Sequence, residues 1–155
     1  MITVQQNDFD VSQEYDRLRT EAGDAGAIVT FCGLVRELYA ADDSSKTESL
    51  TLEHYPGMTE KCLEEIVDQA NVRWQLLATR VIHRIGELQA GDQIVFVGTA
   101  SAHRHHAFEA AQFIMDYLKS EAPFWKKQKA GGDSQWVESR ETDADAIARW
   151  QKPDN

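Results

Sequence analysis

SAHRHHAFEAAQFIMDYLKSEAPFWKKQ, residues 101–128, is the stretch on which the fold reading turns. His103, Arg104, His105 and His106 open it, and Ala107, Ala110, Ala111, Ile114, Met115 and Leu118 follow at the spacing of one helix face. The pattern predicts an amphipathic helix over about 103–120 that ends at Lys119, with Pro123 just beyond, where proline is favoured. Phe124, Trp125, Lys126 and Lys127 come next. Lysines set among aromatic rings are costly unless they hold an anion or take part in chemistry. In a chain with 16 Lys and Arg against 26 Asp and Glu, and a formal net charge of −10, such local basicity points to a small anionic ligand.

Outward from this helix, the run Ile94-Val95-Phe96-Val97 is apolar on both faces, so the strand expected over 93–99 is a central one. A strand over 76–84 precedes it, joined through Gly86 and the Ala90-Gly91-Asp92 turn. Leu63, Ile66, Val67, Ala70 and Trp74 mark a helix over 59–74, introduced by a turn at Pro56-Gly57. Strands are expected over 25–36 and 50–55, with a polar, uncapped and mobile loop over 38–49 between them. Gly131-Gly132 turns the chain into a short strand at 136–138, and the polar tail 142–155 has the makings of a last weak helix. Strands and helices mix without strict alternation. This predicts an α+β fold with a largely antiparallel sheet, in one domain spanning 1–155.

The acidic balance argues against a nucleic-acid or membrane-surface binder, since phosphate contacts need Lys and Arg over a wide face. No apolar run reaches spanning length, and the N-terminus lacks a basic-then-apolar leader pattern. Cys32 and Cys62 are far apart and fit no metal spacing. The expectation is a cytoplasmic protein with reduced thiols, no metal and no cofactor.

Arg104, Phe108, Ala111, Met115 and Lys119 fall on one helical stripe. Yet Arg104 and Lys119 lie about 22 Å apart along the axis at 1.5 Å per residue. One small ligand reaches both only if they come from two copies of the chain, which argues for a homodimer with a shared pocket. Taken singly, Arg104 reads equally as a solvated first-turn cation, and Lys119 as a last-turn cation favoured by the helix dipole. Lys119 and Lys126 form the stronger pair. The bend at Pro123 lets both face one concavity, with Phe124 and Trp125 excluding water. There a neutral amine acts as base or nucleophile, and a charged one stabilises an oxyanion. The plainer reading has Trp125 in the core and the lysines snorkelling from it.

His103 and His106, three residues apart, suit a shared metal only weakly, because no acidic or thiol partner stands at ligand spacing. With Ser101, Arg104 and the free N–H groups of the helix start, His103 instead suggests a phosphate or carboxylate seat. Arg36, at the end of the first long strand, is placed to clamp an anion or to sit exposed. Cys32 has no nearby base and reads as a structural thiol rather than a persulfide carrier. Glu53-His54-Tyr55, His83 and Arg84 have no spacing that assigns them a role.

The blocks AIVTFCGLVR (27–36), LTLEHYPGMTEKCLEEI (50–66), VIHRIGELQAGDQIVFV (81–97), SAHRHHAFEAAQFIMDYLKSEAPFWKK (101–127) and WVESR (136–140) together resemble the large, catalytic subunit of molybdopterin synthase. The combination of HYPGMTE, SAHR, MDYLK and PFWKK carries the resemblance. It implies an α/β hammerhead-type fold with small additional antiparallel strands. It implies a sulfurtransferase that converts cyclic pyranopterin monophosphate into the dithiolene of molybdopterin. The sulfur donor would be the C-terminal Gly-Gly thiocarboxylate of a small ubiquitin-like carrier, in a heterotetramer of two large subunits and two carriers. By the same resemblance Lys119 and Lys126 are catalytic. Phe31, Leu34, Val35, Arg36, Met115, Lys127 and Gln128 line the substrate pocket, and His103, Arg104 and Arg140 are supplied by the adjacent large subunit. The chain departs from the family pattern at Leu34, where many relatives have lysine, and at Gln128, where many have glutamate. The alternative is a non-catalytic module that binds an anion or pterin or docks the carrier.

Overall fold

A computed structural model of the chain describes residues 1–36, 49–130, 133–137 and 141–151. In chain order the elements are β1 (Ile2–Gln5), α1 (Val11–Ala22), β2 (Ala27–Leu34), β3 (Ser49–His54), α2 (Met58–Trp74), β4 (Ala78–Arg84), β5 (Gly86–Leu88), β6 (Gln93–Ser101), α3 (Arg104–Glu121), β7 (Phe124–Ala130), β8 (Asp133–Val137) and α4 (Glu141–Gln151). The strands form two four-stranded sheets, ordered β1-β4-β6-β2 and β5-β3-β7-β8. Among the described residues, only β1 against β4 is parallel. The class is α+β, as the mixed order of elements implied.

β6 lies between β4 and β2, the central place that its two-sided apolar run required. Its side chains alternate between two cores. Val95 and Val97 pack with Val81 of β4 against Leu63 and Ile66 of α2 and Phe113 and Ile114 of α3. Phe96 and Ala100 turn the other way, toward Ile82, Phe9 and Leu18 under α1. Phe96 and Phe113 are fully buried, and truncating either to alanine would cost about 3–5 kcal/mol. At Gly98 a Cβ would lie 2.3 Å from Leu18 Cδ1, so a side chain there would displace the buried Leu18 side chain from its seat on the sheet.

α1 and β1 carry no strong apolar pattern and were not foreseen. The core-facing residues of α1 are Glu14, Leu18 and Ala22, so one of its three inward positions is a carboxylate. Glu14 is buried against Arg80 of β4, each about 5 % exposed, and also accepts from Arg17 at 2.8 Å. Apolar periodicity cannot reveal a helix whose inner face is an ion pair. Its cap was readable, since Asp10 accepts from the Gln13 N–H at 3.1 Å and Gly23 ends the helix at φ 64°.

The expected helices over 59–74 and 103–120 are α2 and α3, shifted by a residue at their ends. The segment after Pro123, expected only as a lysine-bearing bend, is strand β7. The tail helix α4 docks through Trp150. Its ring meets Trp74 and Phe113 edge-on, with centroids 5.6 and 5.5 Å away, and its Nε1 donates to Asp116 Oδ2 at 2.7 Å. Gln112 supplies the other oxygen of buried Asp116 with a donor at 2.9 Å. The loop expected over 38–49 lies outside the described residues except for Ser49, which begins β3. The Gly131-Gly132 turn, Glu138 and Arg140 also lie outside them.

Removing one partner of a buried ion pair strands the other charge. Arg80→Met is therefore expected to lower unfolding free energy by about 3–5 kcal/mol in urea titration. Combining it with Glu14→Leu should recover most of that loss, because an apolar pair leaves no buried charge.

Candidate active site

The two candidate lysines flank a tightly held chain reversal. Lys119 is exposed in the last turn of α3, a favourable place for a cation. The helix stops at Ala122, whose extended backbone (φ −69°, ψ 130°) hands the chain to Pro123 and β7. Side chains from elsewhere pin the turn. The Thr59 hydroxyl donates to Pro123 O at 3.4 Å, Cys62 Sγ to Glu121 O at 3.6 Å, and Ser120 Oγ to Asp143 O at 2.7 Å.

Strand alternation then sorts the side chains of β7. Phe124 and Lys126 share one face, and their register partners on β3 are His54 and Leu52. Leu52 is buried and His54 half-buried, so this is the inner face. Trp125 points the other way, is 44 % exposed, and packs against Tyr55 with centroids 5.8 Å apart. The expectation that Phe124 and Trp125 together wall the lysines is thus half corrected: adjacent strand residues face opposite sides, and only Phe124 lies with Lys126.

Beneath Phe124 sits His83, near the end of β4. The two rings stack with centroids 3.9 Å apart and planes 20° from parallel. His83 is 6 % exposed, and its Nδ1 lies 2.8 Å from the Arg84 carbonyl oxygen, which makes Nδ1 the protonated nitrogen. Its pKa falls from the usual 6.5 to about 4, chiefly through burial, with the ammonium groups of Lys119 and Lys126 and the imidazole of His54 adding to the effect. Both lysines, although on different elements, therefore bear on one buried ring. His54 in turn has Glu60 Oε1 3.7 Å from its Nε2. Sequence spacing left His54 and His83 without a role; their proximity to the lysines arises where the two sheets meet.

The other expected residues divide by position. Phe31, 42 % exposed, lies on edge strand β2 and pairs with Val97, while Met115 is half-buried on α3 against the larger core. Leu34 is exposed beyond a register shift at the end of β2, and Arg36 is exposed after it. Val35 is buried with Leu50, Leu52 and Leu88, and its N–H and carbonyl are bonded to Asp92 O and Gly91 N–H. Positions 127 and 128 lie on β7 opposite Thr51 and Leu50 of β3. Arg140 lies outside the described residues.

His103 and Arg104 are exposed at the far end of α3 from Lys119. Ser101, expected to join them in an anion seat, is buried, and its hydroxyl donates to the His103 carbonyl oxygen. Cys32 donates to Gln93 Oε1 at 3.3 Å, and burial together with the Asp8 charge pushes its thiol pKa up, the opposite of what a sulfur nucleophile needs. Among the described residues no three His, Cys, Asp or Glu are grouped to hold a metal. A cleft of about 630 Å³ between α1 and the start of β2, lined by Tyr15, Asp16, Arg19 and Ile28 among others, contains none of these site residues. No described helix is long and apolar enough to cross a membrane.

Residues 4–121 match the family model described as MoaE protein. The chain belongs to the MoaE family. It is 53 % identical over 150 residues, covering 97 % of both chains, to the molybdopterin synthase catalytic subunit of Vibrio cholerae. It is 56 % identical over 149 residues to the protein of that name from Escherichia coli K12, covering 96 % of this chain and 97 % of that one. Among solved structures it resembles the molybdopterin biosynthesis MoaE protein of Burkholderia ambifaria, with a TM-score of 0.84, 44 % identity and 99 % of each chain covered.

In this MoaE-family chain His83 makes stability depend on acid. Between pH 6.5 and about 4 the unfolded chain binds a proton at His83 that the folded chain does not. Stability is therefore complete above pH 6.5 and is lost as pH falls toward 4, by up to about 3 kcal/mol. Urea titrations at pH 7 and pH 4.5 should show this loss in the parent chain and a smaller one in His83→Phe. An equal loss in both would remove His83 as its source.

Proposed function

We propose that this chain is the catalytic subunit of a molybdopterin synthase, a sulfurtransferase of molybdenum cofactor biosynthesis. The observation that carries this reading is that the chain is more than half identical to proteins of that name over nearly their whole length, with Lys119 and Lys126 on either side of the α3–β7 turn. In this reading the substrate is cyclic pyranopterin monophosphate. The donor is the C-terminal Gly-Gly thiocarboxylate of a small ubiquitin-like carrier subunit. That a partner subunit exists agrees with the word subunit in the relatives' names.

The chemistry suits the residues. Thiocarboxylate sulfur bonds to a carbon of the pterin side chain as that carbon loses an oxygen leaving group; water then adds to the carrier's acyl carbon, and the tetrahedral oxyanion collapses with cleavage of its C–S bond, leaving sulfur on the pterin and a carboxylate on the carrier. Ammonium groups of Lys119 and Lys126 stabilise that negative charge. Phe31, Leu34, Arg36, Met115, Lys127 and Gln128 form the rest of the pocket on this reading, with Val35 contributing from the core behind it. His103, Arg104 and Arg140 of a second copy bind the cyclic phosphate. The length of α3, 18 residues, supports the two-copy arrangement, because its two basic ends cannot serve one small ligand. A reducing, cytoplasmic setting fits the two free cysteines.

Purified chain, thiocarboxylated carrier and cyclic pyranopterin monophosphate should together yield the dithiolene. Lys119→Ala should slow this by roughly 100-fold or more while sedimentation still reports the dimer. Parent-like turnover by that variant would take the lysine out of the chemistry. Carrier binding without any product from the parent chain would favour a docking module.

Mixing Lys119→Ala with Arg104→Ala tests the shared site. Random exchange makes half the dimers hybrid, each with one intact pocket, so about a quarter of all sites should regain function. No recovery after exchange has been verified by mass would place both residues in one protomer's site.

A further inference from the structure

Resting on the sulfurtransferase reading, we propose that His83 is a positioning residue of the lysine site: its buried ring, stacked on Phe124 and anchored to the Arg84 carbonyl, holds the start of β7 and so fixes where Lys126 lies relative to the end of α3, which carries Lys119.

Three observations carry this. First, Phe124 stands between the lysines in the chain, five residues after Lys119 and two before Lys126, and shares the inner face of β7 with Lys126. Whatever fixes the Phe124 ring fixes the backbone that presents Lys126. Second, His83 belongs to the first sheet and Phe124 to the second, so their stack, at 3.9 Å and 20°, bridges the sheets at the level of the site. β4 is held on both sides, with His83 opposite Val4 of β1 and Val95 of β6. The β4 side of the contact is therefore rigid, and β7 is the side it locates. Third, the ring is buried, and the titratable groups whose charge bears on it are Lys119 from α3, Lys126 from β7 and His54 from β3, the last with Glu60 of α2 3.7 Å away. Burial, reinforced by the lysine ammonium groups, keeps the ring uncharged. With Nδ1–H committed to Arg84, it packs like an aromatic side chain while its amphipathic edge is satisfied. A charged imidazole there would repel the ammonium groups it positions.

Sulfur transfer needs the reacting groups within near-attack geometry, and a misplacement of about 1 Å can cost on the order of 100-fold in rate. The test separates ring, hydrogen bond and fold. His83→Phe keeps a flat ring and loses the donor to Arg84. His83→Asn keeps a short donor and loses the ring. Phe124→Leu removes the other half of the stack.

For molecules shown to be folded by circular dichroism, His83→Asn and Phe124→Leu should each lower kcat by about tenfold or more, with KM for the pterin changed less than threefold. His83→Phe should restore most of kcat, and the Asn/Leu double variant should be little worse than either single, because both break one contact. Full kcat in folded His83→Asn would overturn the proposal. So would His83→Phe proving as slow as His83→Asn, which would mean that the ring's nitrogen, rather than its stacking, matters.

A measurement on the unsubstituted chain guards against variants that do not fold. Nitrogen-15 shifts of the His83 ring should report the neutral Nδ1–H tautomer from pH 8 to pH 5.5, and a ring that charges within that range would count against the proposal. If the parent chain makes no dithiolene at all, the functional reading fails instead, and the tautomer result stands apart from it.

Discussion

The stacked contact between His83 and Phe124 is the constraint on which the site depends. One sheet is built around β6 and packed on both faces by helices; the other is a smaller sheet whose inner face carries Phe124, Lys126 and His54. The end of β4 meets the beginning of β7 through these two rings. Because α3 runs directly into β7 through Ala122 and Pro123, the same contact determines where the end of the helix lies relative to the strand. Thr59, Cys62 and Ser120 fasten the turn from the other side. A lysine pair held this way is placed by packing rather than by a loop.

Charge is distributed to the same end. The chain carries a formal net charge of −10, yet cations occupy both ends of α3 and the inner face of β7. Gathering like charges costs free energy unless an anion arrives to offset it. The buried imidazole limits that cost by remaining neutral. The buried cation Arg80 is neutralised by Glu14 under α1 and serves the fold. The chain therefore separates a buried ion pair, which is structural, from a basic cluster at the α3–β7 turn, whose sign fits negative reactants.

How much of this was legible follows from the range of each interaction. Leu63, Ile66 and Ala70, or Ala107, Ala110 and Ile114, repeat at helical spacing within a single segment, so α2 and α3 could be read directly. The two-sided run at 94–97 marked a central strand because both of its faces had to be covered. α1 escaped because Glu14 occupies a core position that its buried partner Arg80, 66 residues away in the chain, makes tolerable. β7 escaped because its lysines mask a strand whose partner β3 lies far upstream. Val35 shared a motif with pocket candidates but packs against Leu50 and Leu88.

The sequence by itself determined the secondary-structure segments with strong periodicity, the α+β class, the pair Lys119 and Lys126 as the centre of interest, and, from the length of one helix, that its two basic ends cannot meet one small ligand within a single copy. Those conclusions need only local spacing and the rise of a helix. Tertiary structure alone decided that Trp125 faces away from Lys126, that Val35 is buried, and that His83 stacks under Phe124. These depend on which strands pair and in what register, and register is set by contacts between residues distant in the chain.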